Sequence, residues 1–334
     1  MIKIVVDLLG ADKQATQLVD GALDAINENK DLFLYICADK QEMEKYLDNK
    51  VYNASQIELV DCPEAITNID NPEEAFRTKK NSSLVKGMSL CEQNQDIGGF
   101  VSCGPTGALF VGAIMLLGRI DAIRPMLLCQ LIKQDGAPFC VVDCGANVDC
   151  RPAVLCDFAK MGTAYMKTIG VMQPRVGLLS NGSEDGKGNI TVKKANELLR
   201  NTCENFVGNI EGSHVLHSDA DIIVCEGFAG NILLKTIEGS AKAAITEIKQ
   251  RLQQSAIDGI TQEAYSAVTE IIKNVYLKYD YNSEGGAVLL GSNIPVVKGH
   301  GEADSRTVYH IINIAYKLAK NNLIQKIKEE FNME

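Results

Sequence analysis

Short apolar runs recur along this chain, each closed by a glycine-bearing polar loop and followed by a helical pattern. That rhythm constrains its fold more than any other feature. Ile2–Val6, Leu32–Cys37, Ile57–Val60, Gly99–Ser102, Val176–Leu179 and Ile222–Cys225 read as buried strands. Between them, Leu18, Val19, Ala22, Leu23 and Ile26 mark one helix face, and Met43, Tyr46 and Leu47 another. Ser83–Glu92, Thr106–Leu117, Pro152–Ile169 and Val192–Arg200 read as further helices, and Ser305–Lys320 as the closing one. Strands separated by helices pair in parallel and are covered on both faces. The expected class is therefore α/β, a largely parallel sheet sandwiched by helices. Met126–Leu131 and Phe139–Val142, joined through Gln134-Asp135-Gly136, predict an antiparallel interruption. Asn231 to Tyr279 predicts two long helices turning at Gly259, a projecting helix pair over 231–280, before Ala287–Leu290 and Val296–Lys298 resume the sheet. No low-complexity linker or short repeat divides the 334 residues, so one α/β unit over 1–334 is expected, with two lobes allowed.

Composition narrows the function. Hydrophobic residues at 46% supply a sizeable core, which excludes disorder for the bulk of the chain. A net charge of -10 argues against nucleic acid and anionic lipid as general partners. The 11 cysteines are odd in number, and Met1-Ile-Lys-Ile-Val-Val-Asp7 runs straight into a strand, so reduced thiols in a cytoplasm are expected. In that compartment the sequons at Asn53 and Asn81 carry no meaning. Ile97–Leu117 holds no charged residue, but its glycines and Pro105 break it, and Ala108–Leu117 alone is too short to cross a bilayer.

Five loops follow strand-like runs: Asp7–Asp12, Ser102–Gly107, Asp143–Asp149, Ser180–Asn189 and Glu226–Asn231. Loops at the carboxyl ends of strands line the ligand crevice of an open α/β sheet, and backbone N–H groups at helix starts favour anions. One such loop is most simply a tight turn. Five in the same topological position suggest a phosphate or acyl-carbonyl site. Gly186-Lys187-Gly188-Asn189 is the strongest, though it is not a Walker loop, and no G-x-G-x-x-G occurs. Cys144, Cys150 and Cys156 lack a C-x-x-C pair and a nearby His, so buried thiols explain them better than metal. Cys103 sits on a strand-to-helix turn, where a nucleophile is conceivable, but no partner base is evident. Of His214, His217, His300 and His310, His300 in Lys298-Gly-His-Gly301 is the candidate site member, and His310 reads as structural.

Taken together, several segments resemble the phosphate acyltransferase family of bacterial phospholipid synthesis, PlsX. They are Asp143-Cys-Gly-Ala-Asn-Val-Asp-Cys150, Glu184-Asp-Gly-Lys-Gly-Asn189, Asp221 to Gly239, Gly285-Gly-Ala-Val-Leu-Leu-Gly291 and Lys298-Gly-His-Gly301. The resemblance spans nearly the whole chain. It implies a fold similar to isocitrate and isopropylmalate dehydrogenases and a homodimer, with the helix pair as candidate interface. It also implies transfer of a fatty acyl group from acyl carrier protein to inorganic phosphate, with no cofactor; a membrane glycerol-phosphate acyltransferase uses the product. The chain departs from the family pattern at Ala11, where Gly is usual, at Pro105, where Asn is usual, at Glu226, where Asp is usual, and at Glu284, where Tyr is usual. The tip of the helix pair, Gln253 to Ala264, offers mainly Ile257 and Ile260 as apolar residues, so weak peripheral membrane contact at most is expected.

Attack of phosphate on a thioester needs no covalent enzyme intermediate. The protein has to hold phosphate near the carbonyl and stabilise the oxyanion. On this reading Lys187, with Gly186, Gly188 and Asn189, binds phosphate. Asn147, Asn231 and the turn of Gly104, Thr106 and Gly107 serve carbonyl or phosphate oxygens, and His300 protonates the departing thiolate. Asp12 and Asp149 orient loop backbone or Lys187. An acidic carrier protein would dock on Arg77, Lys79, Lys80 and Lys86, or on Lys187, Lys193 and Lys194, although either cluster also reads as a solvated face. A short-chain phosphotransacylase, a nicotinamide-dependent decarboxylating dehydrogenase and a non-catalytic carrier-protein-binding scaffold remain open alternatives.

Overall fold

The computed structural model describes residues 1–121, 123–257, 259, 261–279 and 286–333. β1 (Ile2–Asp7) is the first of the apolar runs and the heart of the amino-terminal half. It pairs in parallel with β2 (Leu32–Ala38) on one side and β4 (Ile97–Ser102) on the other, and β3 (Ile57–Asp61) extends the sheet beyond β2. Side chains alternate between faces along a strand. Ile4 and Val6 accordingly enter one core, with Leu34, Ile36 and Val101, while Val5 enters the other, with Tyr35, Cys37 and Phe100. Two helical layers cover these two faces.

The remaining strands are β5 (Met126–Ile132), β6 (Pro138–Val142), β7 (Val176–Ser180), β8 (Phe206–Glu211), β9 (Ile222–Val224), β10 (Ala287–Leu290) and β11 (Val296–Lys298). Among the described residues they form one sheet in the order β3-β2-β1-β4-β11-β10-β5-β6-β9-β7-β8. β3-β2-β1-β4-β11 is a parallel block, and so is β6-β9-β7-β8. Between the blocks the pairings β11–β10, β10–β5 and β5–β6 are all antiparallel. Three reversals make the two blocks run in opposite directions. The antiparallel β5–β6 hairpin expected from Gln134-Asp135-Gly136 is present, and the interruption extends through β10.

This arrangement brings the carboxyl ends of the two blocks together. Ser102 pairs with Lys298, Lys298 with Ala287, and Ala287 with Cys129. Leu128, next to Cys129, pairs with Val142 at the end of β6. Loops leaving β4, β11 and β6 therefore meet over the middle of β5.

The helices are α1 (Ala15–Glu28), α2 (Lys40–Leu47), α3 (Pro72–Thr78), α4 (Ser83–Gln93), α5 (Thr106–Gly112), α6 (Pro152–Thr168), α7 (Ile190–Thr202), α8 (Gly227–Ile257), α9 (Gln262–Tyr279), α10 (Ser305–Lys320) and α11 (Leu323–Glu330). Three elements escape the periodicity reading: α3, β8 and α11. The expected helix Thr106–Leu117 divides into α5 and a π-helical turn over Ala113–Leu117. With β4 it accounts for the uncharged stretch, and no described helix is long and apolar enough to cross a membrane. The first helix of the pair begins at Gly227, directly after β9, rather than at Asn231, and α8 and α9 pack on each other. Ile260, Glu284 and Gly285 lie outside the described residues.

Candidate active site

The loop after β6 is folded around one carboxylate. Asp143 is buried and accepts hydrogen bonds from the backbone N–H groups of Leu127 (2.9 Å), Gly145 (3.2 Å), Ala146 (3.1 Å) and Asn147 (2.6 Å). The Asn147 side chain adds a bond to Asp143 Oδ2 (2.9 Å) and another to the Pro125 carbonyl (2.8 Å). Burial pushes the Asp143 pKa up, and these donors oppose that rise. Asn147 is therefore an internal brace of the loop: its amide is spent before it could reach a ligand.

The start of α8 rests on that brace. A Cβ at Gly230 would fall 1.9 Å from the Asp143 carbonyl oxygen, and one at Gly227 would fall 2.8 Å from that of Asn147. Only glycine permits this approach. Glu226 closes the helix end by accepting from the Ala229 N–H (3.2 Å), so its carboxylate caps α8. Asn231, one turn in, faces Gly145, whose φ of +131° also calls for glycine.

A second set of loops closes from the other block. The Ser102 hydroxyl donates to buried Asp7 Oδ2 (2.7 Å) and accepts from the Gly104 N–H (2.9 Å). Gly10 packs on Gly104 so closely that a Cβ there would lie 2.7 Å from the Gly104 Cα. Ala11 needs no positive φ: among the described residues only Asn322 and Asn332 adopt one without being glycine. The substitution at Ala11 thus strains nothing. Pro105 is the residue before α5, where a helix has no use for its N–H. The N–H of Asp12 donates to the Gly301 carbonyl (2.9 Å), tying the first loop to the His300 loop.

Where the two sets meet there is a polar cavity of about 450 Å³. Thr106, Gly145, Asn231, Lys235, Lys298 and His300 supply its polar wall, with Leu127, Cys129 and Cys144 behind them. Lys298 is half-buried, and its Nζ donates to the Gly299 carbonyl (2.9 Å). Burial lowers its pKa from 10.5; the Cys103 and Cys129 thiols oppose this and nearby Lys235 adds to it. Lys235 also pairs with Glu238 (2.8 Å). His300 Nδ1 accepts from the Glu302 N–H (3.2 Å), which assigns the proton of the neutral ring to Nε2. Burial pushes the Cys103 thiol up to about 12, so it is not a thiolate near neutrality.

A groove of about 1220 Å³ runs along α8 next to this cavity, and Val148 and Phe228 line both. Its walls are mostly apolar, with Leu179, Ile232, Leu233, Ile237 and Ile245 among them. Ser180, Asn181, Asn189, Thr191 and Ser213 add polar groups to its lining, and the Ser180 hydroxyl is buried there with no hydrogen-bond partner among the described residues.

Thr106, Asn231 and His300 thus share the polar cavity, and Asp149, Gly188 and Asn189 line the groove. Asn189 also caps α7, accepting from the Val192 N–H (2.9 Å). Gly104 packs against Ser102, Gly10 and Asp7 and lines neither space, and Gly107 is exposed in the first turn of α5. Gly186 and Lys187 stand exposed on the groove's rim and line neither space; Lys187 lies over Gly182. In the first basic cluster, Lys79 bonds Asp70 (2.7 Å), Lys80 the Phe76 carbonyl (2.8 Å) and Lys86 the Asp61 carbonyl (2.7 Å), so local structure occupies those ammonium groups. The sequence reading passed over Lys298 and Lys235. The signal for Lys235 was its spacing of four from Asn231, which puts both on one helix face; for Lys298 it was a cation ending an otherwise apolar strand.

A family described as "Fatty acid synthesis protein" matches residues 2–326. The phosphate acyltransferase of Clostridium tetani is 37% identical over 330 residues, 98% of each chain. Among solved structures, a phosphotransacetylase from Streptococcus pyogenes aligns with a TM-score of 0.61 at 17% identity, covering 96% of this chain and 94% of that one. A 4-hydroxythreonine-4-phosphate dehydrogenase from Klebsiella pneumoniae aligns at 0.55 and 12% identity, over 96% and 100%. These two likenesses concern the fold: a mostly parallel sheet between helices, of the kind related to isocitrate and isopropylmalate dehydrogenases.

Proposed function

The chain belongs to the phosphate acyltransferases of the fatty acid synthesis protein family, and from that premise we propose that it moves a fatty acyl group from the thioester of acyl carrier protein to inorganic phosphate. The observation that carries the donor and acceptor is the junction at Val148 and Phe228, the two residues that a cation-lined cavity and a long, mostly apolar groove have in common. Phosphate suits the first space and a fatty acyl chain the second, so the carbonyl would sit between them.

In this mechanism Lys298, Asn231, Thr106 and the Nε2–H of His300 hold phosphate with one oxygen toward the carbonyl carbon. That oxygen attacks, the carbonyl becomes an oxyanion, and donors already in place stabilise it without reorganising. Collapse breaks the C–S bond and releases acyl phosphate and the carrier thiolate. The thiolate takes a proton from water, or from His300 when its ring carries a second proton as imidazolium. Lys187, Gly188 and Asn189 at the groove's rim would steady the carrier arm or the incoming phosphate, and Asp149 and Asp12 keep the neighbouring loops in place. The second basic cluster, Lys187, Lys193 and Lys194, lies beside that rim and suits an acidic carrier. We further propose that 1–334 acts as one unit, as a homodimer through the helix pair, with at most weak membrane contact. Eleven unpaired cysteines support a cytoplasmic setting.

The test is phosphate-dependent consumption of acyl carrier protein thioesters, with acyl phosphate trapped by hydroxylamine and identified by mass. Acyl hydroxamate that requires both enzyme and phosphate is expected. A folded enzyme that binds the carrier tightly without turnover would replace this reading with the scaffold one. Turnover restricted to short acyl-CoA would replace it with a short-chain phosphotransacylase.

A further inference from the structure

The groove follows one face of α8. Phe228, Ile232, Thr236, Ser240, Ala244 and Ile248 recur every four residues along it, with Ala229, Leu233, Ile237, Ala241 and Ile245 beside them. The wall is not uniform. Near the junction it is bulky, with Phe228, Ile232, Leu233 and Ile237. From Ser240 to Ala244 it is small, and Ile245, Ile248 and Val275 of α9 add bulkier side chains to the lining.

Length gives this pattern a meaning. A bilayer's hydrocarbon core is ~30 Å, roughly two long acyl chains end to end, so one chain spans ~15 Å. At 1.5 Å per helical residue that is about ten residues of α8. Counted from Phe228, ten residues reach Glu238, one turn short of Ser240 and Ala241; a chain held fully extended is longer than one in a fluid bilayer and reaches that turn, where the side chains become small. A chain half as long ends near Ile232 and Leu233.

We propose that the face of α8 from Ile232 to Ala241 is the track for the acyl chain, and that the side-chain volume at Ala241 sets the longest chain accepted. This rests on the acyl-transfer reading above. The occupant follows from adjacency: the groove and the polar cavity share Val148 and Phe228 as lining residues, so a ligand reacting beside that pair has this apolar wall next to it. Each buried methylene is held by apolar contact, and a bulky side chain at position 241 would take the space of the terminal ones.

The experiment compares kcat/KM for palmitoyl and octanoyl thioesters of acyl carrier protein, by acyl hydroxamate formation, in the full chain and in Ala241→Phe and Ala241→Leu. The palmitoyl-to-octanoyl ratio should fall at least tenfold in Ala241→Phe, and less in Ala241→Leu. The ratio is internal, so a partly folded variant does not distort it. A palmitoyl donor carrying a terminal diazirine should label the peptide holding Ile237 to Ile248 in the unaltered enzyme, and an octanoyl one the segment before it. Product from both donors with an unchanged ratio overturns the track and leaves the acyl-transfer reading intact, as does labelling only outside α8. So does an unchanged ratio in a variant that light scattering shows to have separated into monomers, which would make the groove an interface between copies. No acyl hydroxamate from either donor with the unaltered enzyme overturns the acyl-transfer reading itself. A variant inactive toward both donors counts against the track unless the diazirine label falls on Ile237 to Ile248.

Discussion

Asn147 gives both its backbone N–H (2.6 Å) and its side-chain amide (2.9 Å) to a single oxygen, Asp143 Oδ2. The pair closes the loop after β6 on itself, and the glycine-bearing start of α8 packs on the outside of that closure. The position of Asn231, and hence one wall of the polar cavity, depends on a bond that touches no ligand.

Replacing Asn147 by Ala should therefore read first as lost stability. It leaves a buried carboxylate oxygen and the Pro125 carbonyl each one donor short, which costs ~1–3 kcal/mol. The urea midpoint should drop accordingly, with turnover falling because Asn231 shifts. A variant with wild-type stability and a raised phosphate KM would instead make Asn147 a ligand contact.

Lys298→Met should raise the KM for phosphate by about ten- to a hundredfold, the loss of a charge-assisted hydrogen bond of ~1.5–3 kcal/mol. The pH dependence follows from its lowered pKa. Phosphate is held by the protonated form, so kcat/KM for phosphate should fall as pH rises through a value below that of an exposed lysine. Lys298→Arg stays charged over the same range and should abolish that limb. An alkaline limb identical in both enzymes would assign it to another group.

Lys133 and Asp221 form a pair of 2.8 Å with side chains only 5% and 13% exposed. Burial raises the Asp221 pKa, but the Arg175 backbone N–H and Lys133 outweigh it, and the net value lies below 3.8. A carboxylate held lower in the folded state contributes stability above its unfolded pKa of ~3.9, and that contribution is lost as pH falls through the folded value. Asp221→Asn should cost ~3–5 kcal/mol at neutral pH, because it strands a buried ammonium. Below about pH 4 the gap between variant and wild-type urea midpoints should narrow. A gap constant with pH would remove Asp221 as its source.

The strands were legible where apolar residues run unbroken, as in β1 and β2. β8 was not, because Gly208, at a φ of +97°, and the buried Asn209 interrupt its apolar pattern. α3 and α11 are short, and burial of a few residues, Phe76 in one and Leu323 and Ile327 in the other, holds each in place rather than a long periodic face. At the site, glycines drew attention to Lys187, yet Gly188 serves the turn itself, at a φ of +99°. Lys298 was hidden because the sequence cannot show that two oppositely running blocks bring its strand end against that of β6. That His300, Thr106 and Asn231 come together at one cavity was recoverable because loop position at strand ends is a topological property that sequence does record.

Cys103 is the last group whose role can be decided by substitution. It sits between Ser102, bonded to Asp7, and Gly104, and its sulfur lies against Gly299, where a Cβ would come within 2.6 Å. Position alone would suit a nucleophile on a strand-to-helix turn. Its environment does not: burial, and the Asp7 carboxyl nearby, push the thiol up to about 12, and Lys298 opposes this only in part. The thiolate fraction near neutrality is then far below that of an ordinary cysteine, and direct attack by phosphate is the easier path. Cys103→Ala should retain acyl phosphate formation within a few-fold of the unaltered enzyme, any loss following from the small cavity it leaves beside Gly299. Mass spectrometry of enzyme quenched in acid during turnover should show no added acyl group. An acylated peptide containing Cys103, together with an inactive alanine variant, would replace direct transfer with a two-step route through a thioester on the enzyme.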